Sequence, residues 1–223
     1  MVRAAVCLLL VSFLAACAGT SNNANVDKVR SDASATSLID ASVTGHMDRI
    51  RTLVENGAPL NVVTDRSTPL IVAAVHGHDR VAWYLLSEGA DPNLADRAGR
   101  TPLIAASAQG SQRLVKLMLS AGATVNTSGA NGQTPVSAAA EAGNLSVVKT
   151  LLAAGGNVNI APGGESLLMR VVRNGDLLMT EVLIGAGADT GFRTEEGRTA
   201  LTLARQNRHR DIEMLLVQAG AER

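Results

Sequence analysis

Thr101 to Gln133 reads TPLIAASAQGSQRLVKLMLSAGATVNTSGANGQ, and its punctuation decides the fold. Thr101-Pro102 is a helix opening: a threonine hydroxyl can accept from free backbone N–H groups, and proline sits where its missing donor costs nothing. Leu103, Ala106, Leu114, Leu117, Met118 and Leu119 recur at three- and four-residue steps, with Gly110 breaking the run. The pattern predicts two short antiparallel helices, the second ending at Ala121-Gly122-Ala123, with Gly122 in the left-handed position after the last turn. Asn126 to Gln133 is polar and glycine-containing, which suits a hairpin-like loop.

The same sentence is written up and down the chain. Thr68-Pro69-Leu70 and Thr134-Pro135-Val136 lie 33 residues before and after Thr101, and degenerate copies open at Thr36, Ser166 and Thr199. The glycine between helices and the glycine after the second are 12 apart in Gly45/Gly57, Gly77/Gly89, Gly110/Gly122, Gly143/Gly155 and Gly175/Gly187. In a sixth copy Arg208 replaces the first glycine and Gly220 keeps the spacing. A period near 33 with T-P-L, an alanine pair, G-x-x-x-V and L-L-x-x-G-A-D resembles the ankyrin repeat. The resemblance implies an all-α solenoid of about six helix-turn-helix repeats: 36–67, 68–100, 101–133, 134–165, 166–198 and 199–223. Repeat 1, with Asp40, Thr44, Asp48, Arg49 and Arg51, and repeat 6, with Glu213, Gln218, Glu222 and Arg223, read as polar caps. Leu119 and Leu152 read as core residues. One departure from the family is consistent: the histidine of T-P-L-H is replaced by Ile39, Ile71, Ile104, Ser137, Met169 and Thr202.

Residues 1–16 form a targeting segment, with Arg3 ahead of an apolar stretch, Ala4 to Phe13, too short to span a bilayer as a normal helix. It closes on Leu14-Ala15-Ala16-Cys17, which resembles the bacterial lipobox. That resemblance implies diacylglyceryl transfer to the Cys17 thiol, cleavage before it and acylation of the new amino group. An ordinary leader cut at an A-x-A-like site would leave Cys17 incidental; position and sequence together favour the lipoprotein. Several acyl chains on one residue give a stable anchor, where a single chain holds only marginally. Ala18 follows the cysteine where Asp would mark inner-membrane retention, so the family rule sends the chain to the outer membrane, facing the periplasm. Ala18 to Ala35 is rich in Ser, Asn, Ala and Thr; with Cys17 it is expected to be a flexible tether, 17–35, ahead of the repeat domain, 36–223.

Catalytic chemistry finds no foothold. The only cysteines are Cys7 and Cys17, outside the repeats, so thiolate metal sites and disulfides are excluded there. The formal charge of zero gives no support for nucleic-acid binding. His46, His78 and His209 follow the inter-helix glycine position, where the family commonly carries histidine, and read as structural; His76 and His78 lack a third ligand for a metal. Asp189-Thr190-Gly191 matches the D-T-G of aspartic proteases but falls in the repeat's own A-D-x-N register and reads as a loop. Gly185-Ala186-Gly187 follows no strand and ends a helix. No enzyme, no cofactor and no small-molecule substrate are expected.

What remains is surface, and the resemblance implies docking on the concave side. By register, the concave positions include His76, Gln109, Glu141, Arg173, Asn174 and Gln206. The position after the missing histidine adds Val72, Ala105, Ala138, Arg170 and Leu203. Arg170 and Arg173 are expected to form a basic patch. The hairpin tips are Arg66, Arg97, Arg100, Asn131, Glu165 and Glu195. Trp83, the sole tryptophan, takes an outward place otherwise held by Arg51, Lys116, Lys149, Glu181 and Met214, which makes it a candidate exposed contact or a side chain packed on the neighbouring helix. The reading is a monomeric, lipid-anchored envelope protein that binds an unidentified protein without catalysis. An immunity or inhibitor protein for an envelope-acting toxin or lytic enzyme, or a structural scaffold of the envelope, stand as alternatives.

Overall fold

The computed structural model describes residues 20–221, and side chains from residue 32 onward. The leader and Cys17 lie outside the described residues, as do Glu222 and Arg223. Twelve α-helices and one 3-10 turn, with no strand among the described residues, stack as six antiparallel pairs. The first helices of the pairs are α1 (Thr20–Thr44), α3 (Pro69–Val75), α5 (Pro102–Gln109), α7 (Pro135–Glu141), α9 (Leu167–Asn174) and α11 (Ala200–Gln206). The second helices are α2 (Met47–Glu55), α4 (Asp79–Ser87), α6 (Gln112–Ser120), α8 (Leu145–Ala153), α10 (Leu177–Gly185) and α12 (Arg210–Gln218). None is long and apolar enough to cross a membrane.

Each first helix after α1 starts as its sequence dictates. The N–H groups of Ile71, Ile104, Ser137, Met169 and Thr202 donate to the hydroxyls of Thr68, Thr101, Thr134, Ser166 and Thr199. The missing family histidine is replaced in two ways. Ile71, Ile104 and Met169 are buried at that position. Ser137 and Thr202 instead close capping boxes, each hydroxyl accepting from the N–H of Thr134 or Thr199. Apolar packing or a reciprocal cap therefore does the local work of an imidazole.

The first helices lie closer to one another than the second helices do over most of the stack. Their facing residues are small: Ala73, Ala74, Ala105, Ala106, Ala138 and Ala139 are all buried. That difference places the first helices on the concave side and the second helices on the convex side. The junction of α7 with α9 is the exception, with the loosest packing of any adjacent first-helix pair. Helix α9, LLMRVVRN, carries no alanine, unlike the first helices before it. The core runs unbroken along the stack, through Leu85, Leu114, Met118, Leu151, Leu183 and Leu216. Met118 and Leu151 are fully buried, whereas Leu119 and Leu152, expected inside, are only partly buried at the edge.

An asparagine ladder joins the loops that follow the second helices. Asn61, Asn93, Asn126 and Asn159 each donate from Nδ2 to the carbonyl of the next repeat's helix-ending glycine, Gly89, Gly122, Gly155 and Gly187, at 3.0–3.1 Å. Each Oδ1 accepts from the N–H two residues beyond that glycine, on Asp91, Thr124, Asn157 and Asp189, at 2.7–2.8 Å. One side chain thus fixes both the spacing and the register of adjacent repeats.

Three departures from expectation have local causes. Residues 20–35, expected as part of a tether, belong to α1, and Ala35 is buried in the stack. No glycine or proline interrupts residues 20–44, so nothing stops the helix short of Thr36. Arg208 holds the left-handed conformation of the glycine it replaces, at φ 61°. Ser67 has φ 134° because the first loop, Thr64-Asp65-Arg66-Ser67, is one residue shorter than Asp96 to Arg100 and lacks the glycine at its tip.

Candidate functional site

The concave strip is narrower than the register suggested. Val72, Ala105, Ala138 and Leu203, counted as surface, are buried, because the packed first helices cover these positions. Exposure begins at the last turn, with His76, Gln109, Glu141, Arg173, Asn174 and Gln206. His76 stacks on His78 with ring centroids 6.0 Å apart. Gln109 leans over Gly77, its Nε2 only 2.7 Å from where a β-carbon on that glycine would stand. Among the described residues, Asn174 and Gln206 make no side-chain hydrogen bond.

The expected basic patch is absent. Arg170 reaches across the loose α7–α9 junction, with Nη1 2.6 Å from Glu141 Oε1, and Nη2 donates to the Pro162 carbonyl. Arg173 is ion-paired with Glu165, whose side chain is mostly buried. Two guanidiniums matched by two carboxylates carry no net charge, so this region is a neutral clasp around the loop containing the 3-10 turn Pro162–Gly164.

The tips are largely committed to the fold. Arg66 pairs with Asp40 within repeat 1, and Arg97 pairs with Asp65 of the preceding repeat. Arg100 contacts Asp96 Oδ2 through Nη2 at 3.1 Å, while Asp96 Oδ1 accepts from the N–H groups of Ala98 and Arg100 at 3.0 Å. Asp96 also accepts from Ser67, so this carboxylate organises two consecutive tips. Asn131 and Glu195 are exposed and, among the described residues, free of side-chain partners.

The histidines after the inter-helix glycine reach backward. His78 Nε2 lies 2.9 Å from the Val43 carbonyl and His209 Nε2 3.4 Å from that of Arg173. Asn144 does the same in repeat 4, donating to Ser107 and Ala108. These rings and the amide sit over Gly45, Gly175 and Gly110, where a β-carbon would collide with them. The His46 ring instead lies within hydrogen-bond distance of the Thr44 hydroxyl, at 2.6 Å. Asp189-Thr190-Gly191 is a turn in which Asp189 Oδ1 accepts from the Gly191 N–H, and its own N–H is held by Asn159. The carboxylate serves the turn, as the loop reading requires.

On the convex side the register pointed to Trp83 but not to the cavity beside it. Trp83 is 60 % exposed, against Ala82 and Leu85 beside it at 0 %. It borders a cavity of about 380 Å³ between α2, α4 and α6. Farther along, Leu178, Met214 and Val217 are exposed on α10 and α12, so the C-terminal repeats are less polar outside than a cap was expected to be. Glu213, one of the expected cap residues, pairs with Arg205 at 2.8 Å.

The ankyrin-repeat family model, covering three copies of the repeat, matches residues 4–96 and 85–162. The chain belongs to the ankyrin-repeat family. An ankyrin-repeat domain from Acinetobacter baumannii AYE superimposes with a TM-score of 0.76 at 31 % identity, over 83 % of this chain and 98 % of that one. The ankyrin-repeat domain of Bcl-3, described as a unique member of the IkappaB family, gives 0.75 at 26 % identity, over 83 % and 86 %. A Caenorhabditis elegans homologue of ankyrin repeat and LEM domain-containing protein 1 is 45 % identical over 64 residues, 28 % of this chain and 9 % of that protein. This ankyrin fold is in general a non-catalytic scaffold for protein interaction.

Proposed function

We propose that this ankyrin protein is a lipid-anchored bacterial envelope protein that captures one protein partner on its concave strip. The observation that carries the docking reading is the contrast within that strip. Arg170, Arg173, Glu141 and Glu165 are consumed by one another. His76, Gln109, Asn174 and Gln206 are exposed and polar, on a stack fixed by alanine packing and the asparagine ladder. A rigid surface of this kind loses little ordering entropy on binding. Asn131 and Glu195 extend the same surface to the tips, where they remain available. The anchor reading rests on Leu14-Ala15-Ala16-Cys17, and outer-membrane attachment facing the periplasm rests on Ala18 after it.

Two experiments test the two halves. Cys17→Ala should release the protein from sedimented membranes, and mass spectrometry of the wild-type amino terminus should find acylated cysteine; an unmodified wild-type terminus overturns the anchor. In crosslinked envelope fractions, the wild type should enrich one dominant protein that Asn174→Arg with Gln206→Arg loses. Equal recovery by both moves the docking site away from the concave strip.

A further inference from the structure

We propose that the cavity beside Trp83 is a second binding site, on the convex face, for an acidic peptide segment presenting a bulky apolar side chain. The floor is apolar: Leu114 is fully buried beneath it, Met47 and Leu117 are half-buried, and Trp83 forms an exposed wall. The rim is cationic, with Arg51, Arg80 and Arg113 against a single carboxylate, Asp79. Asp79 is 3.7 Å from Arg113, whose side chain is 86 % exposed, so that pair is loose and the guanidinium can swing to a ligand. Among the described residues Arg51 and Arg80 have no ion pair or side-chain hydrogen bond. An apolar slot of about 380 Å³ holds one or two large side chains, and the unpaired guanidiniums of Arg51 and Arg80 beside it match carboxylates on either side of them. The solenoid supplies no reason for Trp83 here: the equivalent positions carry Arg51, Lys116, Lys149, Glu181 and Met214, and the stack needs nothing from them. An exposed tryptophan framed by arginines is the composition of a binding hot spot. This site shares with the concave reading only the premise that the chain binds proteins; it does not use the concave strip.

Trp83 is the sole tryptophan, so emission of the purified full chain excited at the red edge, where Tyr84 does not absorb, reports on this cavity alone. The probe is the capped peptide Asp-Glu-Leu-Phe-Glu-Asp, with Lys-Lys-Leu-Phe-Lys-Lys as its charge-reversed counterpart. The acidic peptide should blue-shift the emission saturably, and added salt should weaken binding. Arg51→Glu and Arg80→Glu should each raise Kd on the order of tenfold. Both sites are exposed, and circular dichroism melting checks that the variants remain folded. Asn174→Arg with Gln206→Arg should leave the titration unchanged, so failure of this site and failure of concave docking are separate results. No saturable shift at millimolar peptide, or equal binding of the basic peptide, overturns the proposal. So does a shift produced by phosphatidylglycerol vesicles and not by the acidic peptide, which would make this face a membrane contact.

Discussion

Replacing Asn93 by alanine removes one rung of the asparagine ladder. It deletes a donor 3.1 Å from the Gly122 carbonyl and an acceptor 2.8 Å from the Thr124 N–H. A net hydrogen bond contributes about 0.5–1.5 kcal/mol, and these partners are reached by water, so the low end applies to each. The expected loss is therefore about 1–2 kcal/mol, or several degrees in Tm for a chain of this size. Asn93→Asp separates the two roles. It keeps an acceptor for Thr124 but turns a carboxylate toward the Gly122 carbonyl, so it should lose at least half as much. Neither variant disturbs the turn in which the Asn93 N–H is held by Asp91 Oδ1 at 2.8 Å. Asn61→Ala and Asn126→Ala act at other repeat junctions, so their double variant should add within about 0.5 kcal/mol. Urea denaturation followed by circular dichroism gives all of these values. An Asn93→Ala variant within about 0.3 kcal/mol of wild type would refute the ladder as a source of stability.

Leu151→Ala should cost about 2–5 kcal/mol in the same denaturation assay, whereas Leu152→Ala, at the core edge, should cost clearly less. Arg208→Gly should stabilise by roughly 0.5–1 kcal/mol, because glycine enters the left-handed region without the steric penalty that arginine bears at φ 61°. The Thr194 hydroxyl, 2.8 Å from Glu196 Oε2, with the residue's own N–H and Arg198, holds the Glu196 carboxyl below the usual range. Its contribution is thus complete above the ordinary glutamate pKa and lost as pH falls through the lowered value. Carbon-detected NMR titration should show that low midpoint in the wild type and a return toward ordinary glutamate in Thr194→Ala.

Most of the fold was legible because ankyrin repeats punctuate every copy. Thr68, Thr101 and Thr134 cap as their position before proline requires, and the glycine pairs mark both helix ends. The pattern was silent where a contact depends on which neighbour a side chain meets. Arg170 and Arg173 read as a basic patch because Glu141 and Glu165 lie 29 and 8 residues away and meet them only in the stack. Val72 and Leu203 read as surface because helical register gives a direction but not the width of the covering repeats. The start of α1 was missed because a polar composition was weighed above the absence of any glycine or proline. Trp83 was found by its oddity within the register; the cavity beside it needed three helices in place.

The measurement closest to the central claim is site-specific photo-crosslinking in living cells. A photoreactive residue at Gln109 or Asn174 on the concave strip is compared with one at Lys149 on the outer side of α8. The account predicts one dominant protein adduct from both concave positions and none of that mass from Lys149. No adduct from Gln109 or Asn174, or the same adduct from Lys149, would contradict it.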